Sequence, residues 1–126
     1  MTKAEALYNF WSSFTWPAYD ELTVPTGDIK PDLPYITYET STDSFGGSVA
    51  LTASLWSRST SWVEVENKAS EIAQAIAEYG YRIAKIDDGY LVIYKRTPFA
   101  QHMEDPSDDS IRRIVLNISA EFLTAY

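Results

Sequence analysis

The chain's single histidine, His102, stands in the stretch "TPFAQHMEDPSDDSIRRI" (residues 97–114). Glu104, Asp105, Asp108 and Asp109 follow it closely, and the pair Arg112–Arg113 comes next. An imidazole beside carboxylates could make a zinc site or an acid–base pair. Either needs several ligands, usually three or more, preorganised on rigid elements. One histidine, with acids set in a Pro/Ser/Asp run, reads instead as a solvated loop. Asp87–Asp88 reads as a turn pair and not a carboxylate dyad. Serine catalysis lacks a Gly-x-Ser-x-Gly elbow and has only one histidine to serve as base. "FGGS" lacks the lysine and spacing of a phosphate cradle, and five glycines leave little for a dinucleotide fingerprint. There is no cysteine, which excludes disulfides, thiolate catalysis and Cys-based zinc or iron–sulfur sites. No catalytic, cofactor or metal residue is assigned, and the chain is not expected to be an enzyme.

Composition narrows the classes further. The 126 residues fit one domain, 1–126. A chain of this size buries roughly two-thirds of its unfolded surface and needs no staples. With 45% hydrophobic residues, nine Tyr and four Trp, it suits a globular domain. Its net charge of −8 has the wrong sign for sequence-independent DNA binding, which runs on Lys and Arg displacing counterions. The only basic clusters are "YKRTPF" and "IRRI". The N-terminus has no apolar signal-peptide core. The uncharged stretch Ser44 to Ser57 is too short and too rich in Ser, Thr and Gly to span a bilayer. A soluble protein of the cytoplasm, without membrane contact, is expected.

The elements that must position these residues are legible in outline. Thr2 and Glu5 have capping-box spacing, and Leu7, Phe10, Trp11 and Phe14 follow on one helical face that should end before Pro17. Residues 17–34 carry four prolines and read as an irregular crossing, with Tyr19, Leu22, Val24 and Ile29 laid on the body. "YITYET" reads as a strand, Asp43 to Gly47 as a turn, and "SVALTASLWSRS" as a second strand able to pair with the first. A second box, Ser61 and Glu64, opens a helix whose stripe is Val65, Ala69, Ile72, Ile76 and Tyr79. Glu66, Lys68, Glu71 and Glu78 lie off the stripe, and Gly80 stands at the C′ position. "YRIAKI" and "YLVIYKR" form a hairpin about Asp88-Gly89. In the long last strand Ile114, Leu116, Ile118, Ala120 and Phe122 share one face. The expected fold is α+β, a two-layer sandwich. Its antiparallel or mixed sheet of about five strands is covered by two helices, in the order α-β-β-α-β-β-β.

Two further points concern partners. Arg112 and Arg113 are neighbours on a strand, so they point to opposite faces. An ion pair within the chain or to another subunit suits them better than DNA. Trp56 falls on the more polar strand face with Thr52, Ser54 and Arg58. It either forms an exposed apolar patch with Tyr35 or Tyr38, or packs under the proline-rich crossing.

The whole order resembles a known family. A helix, a proline-rich crossing into "PYITYET", the strand "VALTASLWSRSTSW" running into a capped helix, a hairpin and a long final strand are similar to tail terminator (tail completion) and minor capsid proteins. These belong to the head–tail module of long-tailed phages and prophages, and stretches like "TPFAQ…DPSDDSIRRIVLNI…FLTAY" carry the likeness. The resemblance implies a virion protein of the tail or neck, assembled in the host cytoplasm. It implies a homo-oligomeric ring, typically a hexamer, that caps the tail tube, stops its elongation and meets the head–tail connector. It supplies no catalytic residue, cofactor or metal. The candidate subunit or tube interface is His102, Glu104, Asp105, Asp108, Asp109, Arg112, Arg113, Trp56 and Arg58. Arg112 or Arg113 would face Asp105, Asp108 or Asp109 of a neighbour, and net negative charge would let DNA slide through the ring without specific binding. A neck or head-completion protein, or a small module binding a protein partner through an aromatic sheet face, remains an alternative.

Overall fold

The computed structural model describes residues 1–45, 47–77 and 80–126. The first helix, α1 (Lys3–Ser12), begins at the reciprocal box expected of it. The Glu5 N–H donates to the Thr2 hydroxyl at 3.1 Å and the Thr2 N–H to the Glu5 carboxylate at 3.2 Å. Leu7, Phe10, Trp11 and Phe14 are all buried. The exit turn places Thr15 at φ 72°, a left-handed conformation that a β-branched residue rarely adopts.

Among the described residues six strands follow, where about five are expected. They are β1 (Ala18–Asp20), β2 (Tyr35–Tyr38), β3 (Ser48–Arg58), β4 (Arg82–Ile86), β5 (Gly89–Met103) and β6 (Ile111–Thr124), with α2 (Val63–Ala77) between β3 and β4. The order is therefore α-β-β-β-α-β-β-β. The additional strand lies inside the proline-rich crossing, where three residues pair parallel to β2. So short an edge strand carries almost no periodicity, and the flanking prolines mask it. A short 3-10 turn (Gly27–Ile29) completes the crossing. Leu22 and Ile29, expected on the body, are 89% and 76% exposed, whereas Tyr19 and Val24 are half-buried.

The sheet order is β1-β2-β3-β6-β5-β4, mixed because β1–β2 is parallel and every other pair antiparallel. β2 and β3 pair as expected, Tyr35 opposite Trp56 and Tyr38 opposite Ala53. β6 is central. Its Ile114, Leu116, Ile118, Ala120 and Phe122 are sealed from solvent and join Leu51, Ala53 and Leu55 of β3 in one core beneath both helices. α1 touches both edge strands, β1 and β4, so the sheet curls around the helical layer.

Val65, Ala69, Ile72 and Ile76 of α2 are buried as the stripe predicts; Tyr79 and Glu78 lie outside the described residues, as does Gly46 of the expected Asp43–Gly47 turn. Gly80 has φ +86°, the left-handed conformation expected of it. The second capping box does not form as expected. α2 begins at Val63, and the Ser61 hydroxyl accepts from the Val63 N–H at 3.2 Å. Lys68, expected off the stripe, is buried. Its ammonium donates to the Phe14 carbonyl at 2.8 Å and to the Thr15 hydroxyl at 3.3 Å, meets Glu71 at 3.2 Å, and lies 5.4 Å from the Trp16 ring. A charge survives burial only when paired and hydrogen-bonded, and here its partners hold the strained exit of α1 against α2.

The β4–β5 hairpin closes one residue earlier than the Asp88-Gly89 reading. Ile86 pairs with Gly89, leaving Asp87–Asp88 as the two-residue loop. Gly89 has φ +156°, and a Cβ there would stand 1.9 Å from the Leu123 carbonyl oxygen. Only glycine fits this approach.

Candidate interaction surface

The stretch around His102 is not the long loop its composition suggests. β5 passes through an irregularity between Lys95 and Ala100 and then resumes pairing with β6, His102 opposite Ile114 and Met103 opposite Arg113. The loop proper is residues 104–110. Ladder hydrogen bonds to the central strand β6 have overridden the turn-like composition. Because Ile114 faces the helices, so does His102. Its ring stacks on Trp62 with centroids 3.7 Å apart and planes 4° from parallel, and its Nε2 is hydrogen-bonded to the Glu66 carboxylate at the start of α2. His102 therefore meets neither Glu104 nor Asp105. It ties the end of β5 to the start of α2.

The acidic loop is internally tied as well. Asp105 accepts from the Ser107 N–H at 3.0 Å and from its hydroxyl at 2.6 Å; Asp108 accepts likewise from Ser110 at 2.9 and 2.6 Å. Arg58, at the end of β3, reaches Asp108 at 3.1 Å and the Ser110 hydroxyl at 2.8 Å. The Ser110 hydrogen bonds, with Arg58 adding to them, lower the Asp108 carboxyl to about 2; those of Ser107 lower Asp105. Both acids stay ionised because donors converge on the charged form. Glu104 and Asp109 are exposed.

The two arginines point to opposite faces, as adjacent strand residues must. Arg112 lies on the helical side, 5.4 Å from the Trp62 ring, and donates to the carbonyls of Thr60 at 2.9 Å and Asp109 at 2.6 Å. Its Nε and the hydroxyl of Ser57, directly opposite on β3, are buried without a partner among the described residues. Arg113 lies on the other face, 4.6 Å from the Trp56 ring, and its Nε donates to the Ser54 hydroxyl at 3.1 Å. The ion pair to the acidic loop within the chain is thus made by Arg58, not by Arg112 or Arg113.

Trp56 is half-buried on the sheet face away from the helices. Its indole N–H donates to Thr37 at 2.9 Å and its ring meets Tyr35 at 6.5 Å; Tyr35 in turn meets Tyr19 edge-on at 5.8 Å. Tyr38, the other candidate companion, is on the opposite face, stacked 6.4 Å from Trp11. Both readings of Trp56 hold in part: it pairs with Tyr35, and the crossing rises beside it. Between them opens a cleft of about 710 Å³, with Trp56, Tyr35, Leu33, Pro31 and Ile111 as its apolar lining and Lys30, Arg58, Asp32 and Asp105 as its charged one.

Of the nine residues singled out from sequence, the structure gathers Trp56, Arg58 and Asp105 at this cleft, with Asp108 bridged to them by Arg58 and Arg113 behind Trp56. His102 and Arg112 meet instead at Trp62. Trp62 and Glu66 are the site members the sequence reading misses; Tyr35 is named there only as a companion of Trp56. His102 and Glu66 are 36 positions apart in sequence, so no local spacing could join them. Among the described residues no group of three or more His, Asp or Glu converges as a metal ion would require, and no helix is long and apolar enough to cross a membrane. Comparison with protein-family models, curated proteins and solved structures finds no match to this chain.

Proposed function

We propose that this chain is a structural subunit of tail-terminator kind, which assembles as a ring, a hexamer by the resemblance, caps a tail tube and joins it to the head connector. One observation supports this reading beyond the likeness of sequence order. The side chains best suited to chemistry are spent in ties between segments: His102 to Trp62 and Glu66, Arg58 to Asp108 and Ser110, Arg112 to Thr60 and Asp109. Large apolar groups, by contrast, remain exposed at separated places, among them Phe45, Ile83 and Tyr90. A closed heterologous ring needs two different patches on each subunit, and a subunit whose His102 and Arg58 are engaged internally presents such patches without a competing site. In this reading the protein is a virion component, and DNA passes the ring without being recognised.

The test is mass and capping. Light scattering of the chain, alone and with a tail tube protein, is expected to give roughly six times the 14.3 kDa subunit mass, and the chain is expected to halt tube growth. A chain that stays monomeric under both conditions and leaves tube polymerisation unchanged refutes the proposal. That outcome would favour the second reading, a binding module for a protein segment, to which the aromatic cleft at Trp56 is suited.

A further inference from the structure

Phe45 is 73% exposed, yet the loop that carries it is held firmly. Its own N–H donates to the Thr124 carbonyl at the end of β6 at 2.9 Å, the Asp43 carbonyl accepts from the Lys3 ammonium at 2.9 Å, and the Ser44 N–H donates to the Asp43 carboxylate at 2.8 Å. A pinned backbone presenting a bare phenyl ring has already lost most of the entropy that docking would cost. The Trp56 cleft is held equally well. Ser59 N–H donates to the Ser110 carbonyl at 2.7 Å, and Arg58 ties Asp108 and Ser110 beside it.

The two features lie at opposite ends of the β3–β6 ladder. Phe45 precedes Ser48, which pairs with Glu121; the cleft is at Trp56–Arg58, which pair with Arg113–Ile111. Eight residues of strand, Ser48–Leu55, separate them, about 26–27 Å at the usual rise. Phe45 therefore cannot enter the cleft of its own chain. It can enter that of a second copy. The chemistry matches: an aromatic knob for a hole lined by Trp56, Tyr35, Leu33 and Pro31; of the charges at the cleft, Asp32 and Asp105 are offset by Lys30 and Arg58, and the exposed Lys30 is the one that Asp43, two residues before the knob, would meet. In a chain of net charge −8, association must be driven by such a local apolar contact against overall repulsion.

We propose that Phe45 of one copy docks in the Trp56 cleft of the next, a head-to-tail contact between the two unlike ends of the subunit. This rests on the assembly reading above and names the surfaces that make it. The contact is heterologous, so each copy keeps one free knob and one free cleft until the assembly closes.

Because the chain has no cysteine, introduced thiols report the contact cleanly. Phe45→Cys and Leu33→Cys are made as separate variants, mixed and oxidised, with self-association of the Phe45→Ala chain followed by sedimentation up to millimolar concentration. Phe45 is exposed, so Phe45→Ala should fold normally, which circular dichroism checks. The mixed disulfide is expected well above either homodimer, and Phe45→Ala is expected to weaken association by roughly ten- to a hundredfold, the loss of one buried aromatic side chain. An assembly that forms unchanged in Phe45→Ala, with mixed disulfide no more abundant than chance pairing, overturns this contact and leaves the ring reading standing. A chain that never exceeds its monomer mass, alone or with the tube protein, overturns both.

Discussion

The contact between His102 and Trp62 lends itself to a quantitative test, because two effects compete to explain what holds the end of β5. One is the stack, with ring centroids 3.7 Å apart; the other is the bond from His102 to Glu66. The side chains of His102 and Glu66 are 48% and 47% exposed, and exposed pairs of this kind contribute about 0–1 kcal/mol. Trp62 is half-buried, so its truncation returns on the order of 100 Å² of apolar surface to water, about 2.5 kcal/mol at 25 cal/mol per Å². The aromatic contact adds about 0.5–1.5 kcal/mol beyond area. Trp62→Ala should therefore cost about 3–4 kcal/mol and Glu66→Gln under about 1 kcal/mol, read from urea midpoints at constant m. The decisive quantity is the coupling in a Trp62→Ala/His102→Ala cycle, expected at about 0.5–1.5 kcal/mol. Hydrogen exchange should localise the loosening to Ala100–Met103, the last four residues of β5 that pair with β6. A coupling indistinguishable from zero, or Glu66→Gln costing as much as Trp62→Ala, would refute the claim that stacking anchors this strand end.

Two other outcomes follow from the geometry. Gly89→Ala meets the Leu123 carbonyl at 1.9 Å, whereas Gly27→Ala, also at positive φ, meets nothing within 4 Å; backbone strain alone costs about 1–2 kcal/mol, so Gly89→Ala should lower stability by at least about 1 kcal/mol more than Gly27→Ala in urea unfolding, and equal costs would show that the β5–β6 end does not need its close approach. The Asp108 carboxyl is lowered from 3.8 to about 2 by Ser110 and Arg58; a depressed folded pKa means that its contribution is complete above 3.8 and is lost as pH falls toward 2, so the protection of the Ser110 amide, taken relative to its intrinsic exchange rate at each pH, should fall through that window in the native chain and stay level in Asp108→Asn, measured by NMR.

Periodic signals in the sequence were enough to place the core. The stripe of α1, the stripe of α2 as far as Ile76, and the alternation of β6 each repeat for several turns or pairs, and burial against a neighbour is the only way such faces are satisfied. The Thr2–Glu5 box and the absence of cysteine are local facts as well, and they need no partner to be read. Three things were decided only by tertiary contact. β1 exists because β2 offers it hydrogen-bonding groups, not because three residues prefer to be extended. Lys68 is buried because the carbonyl of Phe14 and the hydroxyl of Thr15 arrive from the exit turn of α1. His102 belongs to a strand and to Trp62, although its neighbours in sequence are loop-forming, because the ladder to Ile114 and the stack outweigh local preference. Composition could say that one histidine among loop acids makes a poor metal site; it could not say which residue the histidine would touch. Nor could it bring Trp56, Arg58 and Asp105 to one cleft, since that meeting depends on the register of β3 against β6 and on where a proline-rich crossing comes to rest.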